Sequence, residues 1–292
     1  MKLVQRIFLQ YYTTRFKIIS GFSPRLAAKM AFNLFCTPYT KTRDKQPDKI
    51  FEIATKLSLK VGHDTVHGFK WTTPGKQTDK TILICHGFDS NSYRFAEYIK
   101  PLLDEGFNVI AFDAPGHGTS TGKTITVLLY SAMIKLINEK HGPLYGIMAH
   151  SFGGLAAVLA LEENEELACE KLVLIAPSTE TTHAIETFFN YIGLTPKVRK
   201  EFLILIEQLS GNPVHWFSVS RAIHGITPQT LWIHDKQDSI TPYRHMEQLR
   251  VDKPKHVTFE ITEGLGHSPY RQPQILQKII SFFSDKNQTL SN

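Results

Sequence analysis

From Lys56 onward, apolar and polar residues alternate with a period of two. Leu57, Leu59 and Val61 alternate with Ser58 and Lys60, and Val66, Phe69 and Trp71 follow beyond Gly62-His63-Asp64. Alternation on both sides of a short turn predicts an antiparallel pair, closed by Pro74-Gly75. The pattern then changes to short continuous apolar runs, over 81–85, 108–112, 144–149, 172–176, 230–234 and 256–261. Between most of them the apolar residues recur at helical spacing, over 93–103, 125–139, 152–161, 243–249 and 273–283. A strand that is apolar on both faces is buried on both faces. Alternation with helices therefore predicts an α/β fold built on a mostly parallel sheet flanked by helices.

Two stretches depart from this alternation. Between Thr179 and Pro228 only helical patterns occur, over 184–191, 198–209 and 213–223. A segment this long and this helical is not a plain loop, and it predicts a small helical cap inserted at about 180–228. At the other end, Leu3, Val4, Ile7, Phe8, Tyr11 and Tyr12 recur at helical spacing, and Ser23-Pro24 reads as an N-cap with proline at the first position of a second helix. The expected organisation is a helical N-terminal extension over 1–48 and a main domain over 49–292 that carries the insertion.

Charge sets the extension apart. Lys2, Arg6, Arg15, Lys17, Arg25, Lys29, Lys41 and Arg43 all precede the first acid, Asp44, although the 292-residue chain carries a net charge of only +6. The basic character belongs to the extension and not to the main domain. No nucleic-acid-binding motif accompanies it, so the partner it points to is a membrane surface met by a basic amphipathic helix, or else the helices only pack on the domain. No segment reaches the roughly 20 apolar residues of a membrane span, and no clean leader pattern occurs, which predicts a cytoplasmic protein. Cys36, Cys85 and Cys169 lie in apolar or helical contexts without metal-ligand spacing and read as buried thiols. His63 and His67 are four apart but fall on the predicted strand hairpin and not on one face of a helix, so no metal site is expected, and nothing calls for a cofactor.

The chemistry-bearing residues gather where strands end. Ala149-His150-Ser151-Phe152-Gly153 sits at a strand-to-helix junction and fits the nucleophile elbow G-x-S-x-G, with alanine for the first glycine. Small residues beside the serine let the chain turn sharply and leave the hydroxyl exposed at the sheet edge. Ile84-Cys85-His86-Gly87-Phe88 ends another strand, so the backbone N–H groups of Phe88 and Phe152 are candidates for an oxyanion hole. His86 and His117 read as loop-holding residues, and His150 should point away from its neighbour Ser151. Further on, Asp235 and Asp238 follow a strand, and His267 lies in a glycine-bearing loop after the last one. A serine needs a neighbouring base to lose its proton near neutral pH, and histidine's pKa suits that task.

In this order the His-Gly turn, Asp113-Ala114-Pro115-Gly116-His117-Gly118, the serine elbow, the late acid and the final Gly-His resemble the α/β-hydrolase superfamily, over about Lys56 to the C-terminus. The resemblance implies Ser151 as nucleophile, Asp238 as acid and His267 as base. Asp238 is preferred to Asp235 because its D-x-x-T-P context resembles the family's acid loop. The basic extension and the closing 263–267 loop are similar to those of generic bacterial esterase-like members. The implied reaction is hydrolysis of a small-molecule carboxylic ester or thioester through an acyl-enzyme. A carbon–carbon bond hydrolase or a perhydrolase would use the same triad, and a non-catalytic ligand-binding homologue would keep the fold alone. Aromatic residues of the insertion, chiefly Phe188, Phe189 and Trp216, are candidates to line an apolar substrate pocket.

Overall fold

A computed structural model describes residues 3–39, 48–73 and 80–285, with the backbone alone over 3–9. The end of the expected 1–48 extension, over 40–47, the Pro74-Gly75 stop and residues 286–292 lie outside the described residues. The chain divides into two compact units, one made of 38–179 with 219–292 and the other of 1–37 with 180–218.

The larger unit is built on one sheet of eight described strands: β1 (Thr55–Val61), β2 (Asp64–Trp71), β3 (Thr81–Cys85), β4 (Asn108–Phe112), β5 (Gly146–His150), β6 (Lys171–Ile175), β7 (Gln229–Asp235) and β8 (Val257–Thr262). Their order is β1-β2-β4-β3-β5-β6-β7-β8. The first two strands form the predicted hairpin, with Val61 opposite Asp64 and Gly62 at φ +59°, where a side chain would be strained. β2 pairs antiparallel with β4, and every pair from there on is parallel.

Every residue of β3, β5 and β6 is buried, which explains why these strands read as continuous apolar runs. Successive side chains still face opposite ways. Ile82, Ile84, Met148 and Val173 share a core with Tyr98, Ile99, Ile279 and Phe283 of two helices, α3 (Ala96–Asp104) and α10 (Pro273–Phe283). Their alternates Leu83, Ile147 and Leu172 face the other way, on the side of α4 (Val127–His141) and α5 (Phe152–Glu162). Two short helices, α8 (Val219–Ala222) and α9 (Glu247–Asp252), complete this unit, with α8 packed on α5.

The smaller unit is helical: α1 (Leu3–Phe22), α2 (Pro24–Phe35), α6 (Thr181–Ile192) and α7 (Pro196–Ser210). Ser23 caps α2 by accepting the Leu26 N–H, with Pro24 at the first position, as its sequence predicts. The N-terminal pair and the insertion are thus a single packing unit. α2 lies on α7, Phe32 and Phe35 meet Phe202 edge-on, and the Thr13 hydroxyl donates to the Ile192 carbonyl. An isolated bridge between Glu180 and Ser218 ties the two ends of the insertion together. The unit stops there, short of the expected 228. Val219, Ala222 and Ile223 are buried side chains of the larger unit.

Candidate active site

Ser151 stands between the last residue of β5 and the first of α5, at φ +54° and ψ −119°. A non-glycine residue in that region costs on the order of 1–3 kcal/mol and persists only where its surroundings hold it. Here the Ser151 N–H donates to the Ile175 carbonyl (3.0 Å), and its own carbonyl accepts from the N–H groups of Gly154 and Ser178 (both 2.9 Å). The turn throws the side chain clear of both strand and helix. Gly153 follows because the first turn of α5 runs against the end of β3: a Cβ there would sit 2.5 Å from the His86 carbonyl oxygen. Ala149, in place of the elbow's first glycine, is buried between Cys85 and Leu174 on the flanking strands.

The hydroxyl of Ser151 lies 3.0 Å from His267 Nε2, and His267 Nδ1 lies 2.8 Å from Asp238 Oδ2. A carboxylate only accepts, so Nδ1 carries the proton and Nε2 is left as the acceptor for the serine O–H. Burial by itself raises the Asp238 carboxyl. The hydrogen bond and charge of His267, with the N–H and hydroxyl of Thr241, outweigh it and hold the group at about 2. Asp238 Oδ1 takes the N–H groups of Ile240 (2.8 Å) and Thr241 (3.0 Å), and Oδ2 takes the Thr241 hydroxyl (2.8 Å).

Phe88, on the loop after β3, and Phe152, the first residue of α5, are held by separate contacts. His86 Nε2 accepts the Ala114 N–H (3.0 Å), its Nδ1–H donates to Gly87 O (2.8 Å), and its carbonyl accepts the Tyr130 hydroxyl (2.9 Å). His86 therefore ties the end of β3 to the end of β4, the loop-holding role read from the sequence. The Phe152 N–H opens α5 and has no acceptor within the helix, so it and the helix dipole favour negative charge at this point. The Phe88 and Phe152 rings meet edge to face, 5.7 Å apart. His117 donates Nδ1–H to Pro115 O (3.0 Å), while its Nε2 is buried with no partner among the described residues.

Three contributors carried no assigned role in the sequence. His150 shares a strand face with Met148 and points into the core beside Phe95 and Tyr270, away from the serine. There its Nε2–H donates to the His267 carbonyl (2.8 Å), so it holds the loop that carries His267. Burial, then the nearby His267, push His150 down to about 3 and keep it neutral. Thr241 fastens Asp238, and His234 in turn donates Nε2–H to the Thr241 carbonyl (2.6 Å). The Thr-Pro after Asp238 was the available signal for Thr241; His234 looked like any buried strand residue. Asp235 turns away from His267 and accepts from the Thr262 hydroxyl (2.7 Å) and the N–H groups of Leu265 and Gln237 (both 2.9 Å).

The aromatic residues of the insertion lie in the helical unit. Phe188 meets Phe35 and Phe202, Phe189 meets Phe202 edge-on at 5.0 Å, and Trp216 meets Phe217 at 5.1 Å.

The sequence profile of the family described as serine aminopeptidase, S33, matches residues 76–214. That span holds the His-Gly turn and the serine elbow and ends before Asp238 and His267. The uncharacterized protein YqkD of Bacillus subtilis is 36% identical over 202 residues, 65% of this chain; the chain spans 66% of that relative, just under two thirds. The putative esterase/lipase 2 of Mycoplasma pneumoniae is 24% identical over 70% of this chain and 88% of its own length. An esterase of Pyrococcus furiosus, 18% identical, superposes with a TM-score of 0.63 over 86% of this chain and 98% of its own, a likeness of fold.

Proposed function

We propose that the chain is an α/β-hydrolase superfamily member, as the profile match over residues 76–214 and the likeness of fold support, and that it is a serine hydrolase cleaving a small carboxylic ester or thioester through an acyl-enzyme on Ser151. The observation that carries this reading is the continuous chain from the Ser151 hydroxyl to His267 (3.0 Å) and from His267 to Asp238 (2.8 Å), on a serine at positive φ. His267 Nε2 takes the hydroxyl proton as Oγ attacks the acyl carbon, and Asp238 stabilises the imidazolium that forms. The carbonyl oxygen becomes an oxyanion between the Phe88 and Phe152 N–H groups. The imidazolium returns its proton to the leaving alkoxide or thiolate, and the acyl group stays on Oγ. Water then attacks, with His267 again accepting and returning a proton, and the carboxylic acid leaves. Esterase names among the relatives support an ester substrate, and the edge-to-face Phe88 and Phe152 rings suit an apolar acyl group beside the oxyanion turn.

The test is p-nitrophenyl butyrate hydrolysis together with labelling by a fluorophosphonate probe. The expected result is turnover with one probe per chain, and loss of both in Ser151→Ala. The fall in kcat should be on the order of 10³-fold or more while the protein stays folded. Normal turnover in Ser151→Ala would sink the mechanism. An unlabelled, inactive but folded wild-type protein would point to the non-catalytic homologue.

A further inference from the structure

The helical unit presents a second surface, separate from the chemistry at Ser151. α1 has two unlike sides. One buries Phe16, partly buries Tyr12 and Ile19, and places the Thr13 hydroxyl on the Ile192 carbonyl. The other carries Tyr11, Ile18 and Phe22, spaced i, i+7 and i+11, with 55%, 58% and 89% of their surface exposed. Leu26, just inside α2, adds another apolar side chain at 51% exposure. Single exposed apolar residues are ordinary on any protein. A stripe along one helix face is not, because repeated apolar residues at helical spacing leave a continuous apolar strip in water.

The charged residues of α1 and α2 are all of one sign. Arg15 sits within it at i+4, donating to the Tyr11 hydroxyl (3.1 Å), and Lys17, Arg25 and Lys29 are exposed around it. Lys2 and Arg6 precede them in sequence, and no acid occurs before Asp44. An occupant of this face must therefore be apolar where it meets Tyr11, Ile18 and Phe22, and anionic where it meets the four cations. An anionic bilayer surface has both properties in the right layers, with acyl chains below and phosphates at the level where long Arg and Lys side chains reach. The face carries an open hollow lined by Gln10, Tyr11, Thr14, Arg15 and Ile18 on the single helix α1, which suits a fluid lipid layer better than a shaped peptide. Among the described residues no helix is long and apolar enough to cross a membrane, so the geometry is that of a helix lying in the interface.

We propose that the Tyr11–Ile18–Phe22 stripe, with its flanking Arg15, Lys17, Arg25 and Lys29, docks the protein on anionic lipid surfaces. The experiment is flotation of the full-length protein with vesicles of phosphatidylcholine alone or mixed with phosphatidylglycerol. The protein should float with the mixed vesicles only, and added salt should weaken the binding. Ile18→Glu with Phe22→Glu should lower partitioning roughly tenfold or more by removing the inserted apolar groups. Arg15→Gln with Lys17→Gln should lower it about fivefold for each cation lost, with the apolar side chains Tyr11, Ile18 and Phe22 kept. Both double variants should hydrolyse soluble p-nitrophenyl butyrate like the wild type, since no altered residue belongs to the Ser151 site. Failure of the wild type to float with anionic vesicles overturns the proposal, as does binding unaffected by the Ile18 and Phe22 changes. Light scattering that finds a dimer dissolved by Ile18→Glu with Phe22→Glu, without vesicle binding, overturns it in favour of a second copy as the occupant.

Discussion

Asp235 ends β7 and Asp238 stands three residues on, and both are buried with their oxygens hydrogen-bonded, yet their partners differ in kind. Asp238 accepts from a side chain that changes protonation state in the proposed reaction, His267 Nδ1. Asp235 accepts from groups that never do, the Thr262 hydroxyl and the Leu265 and Gln237 N–H groups, and these pin the start of the His267 loop to β7. The two substitutions should therefore separate activity from stability. Asp238→Asn leaves the fold intact but presents an amide to Nδ1, which permits the wrong tautomer of His267; kcat should fall on the order of 10³- to 10⁴-fold. Asp235→Asn replaces an acceptor with a donor facing the Leu265 N–H or the Thr262 hydroxyl, and should cost about 1–3 kcal/mol of stability with a smaller loss of kcat. Turnover and thermal melts on both variants check this, and reversed ranks in kcat would move the acid to Asp235. At this scale the sequence was informative where a residue type is tied to a reaction. Ser151, His267 and the choice of Asp238 rested on strand-end position and on the D-x-x-T-P context. His150 and His234 were not legible as supports, because their roles depend on which carbonyl their ring meets, and the carbonyls of His267 and Thr241 arrive from other parts of the chain.

Strands and helices of the sheet unit were legible because burial on both faces demands continuous apolar runs, and β3 and β4 fall on the residues their patterns predict. The prediction of one helix over 213–223 did not hold. A 3-10 turn over Val214–Trp216 is followed by Phe217 at φ −80° and ψ +73°, and Ser218 is taken by its bridge to Glu180, so α8 starts only at Val219. Apolar spacing was satisfied there, but a tertiary contact overrode it. The partner of the N-terminal helices was likewise out of reach, since an apolar face at helical spacing says that a helix packs and not on what; α2 finds α7 far along the chain. The junction of β3 and α5 carries a test at this scale. A Cβ on Gly153 would press on the carbonyl oxygens of His86 (2.5 Å) and Cys85 (2.8 Å), both backbone atoms with no rotamer to yield. Gly153→Ala must move α5 or the His86–Phe88 turn, at a cost of about 1–3 kcal/mol. Because that turn carries the Phe88 N–H, kcat should fall along with the melting temperature. A Gly153→Ala protein with both unchanged would show that α5 and β3 are not in the contact described.

Four imidazoles, His86, His117, His150 and His234, are buried in the larger unit, and burial is the leading cause that lowers each of them. His117 and His150 are pushed down to about 3 from an ordinary 6.5. The hydrogen bonds agree with neutral rings: His86 Nε2 accepts the Ala114 N–H, and His234 Nδ1 accepts the Trp232 indole N–H at 3.3 Å. Below pH 6.5 an unfolded chain binds protons at these positions that the native protein does not, so stability falls as pH falls, over a window from about 6.5 down to about 3. His117 and His150 alone bring the slope to about 2.7 kcal/mol per pH unit at its steepest, and His86 and His234 act in the same direction. Asp238, held at about 2, and Asp235, also lowered, act in the same direction further down, because their stabilisation is present above the ordinary 3.8 and lost as pH drops through the native values. On the alkaline side the sign reverses. Burial raises Cys36 and Cys169 to about 12 and Cys85 further still, so unfolded thiols ionise from about 9 while native ones do not, and stability declines above that pH. The molecule should therefore have a stability plateau between about pH 7 and pH 9 with a steep acid edge. Urea unfolding across the pH range measures it. His117→Asn, which removes one buried imidazole outside the Ser151–His267–Asp238 chain, should reduce the acid slope by about one proton's worth, about 1.4 kcal/mol per pH unit, whatever it does to stability on the plateau. Unfolding free energies that stay level from pH 7 to pH 4.5 would show that these imidazoles are protonated in the native protein, and would contradict their burial as neutral groups.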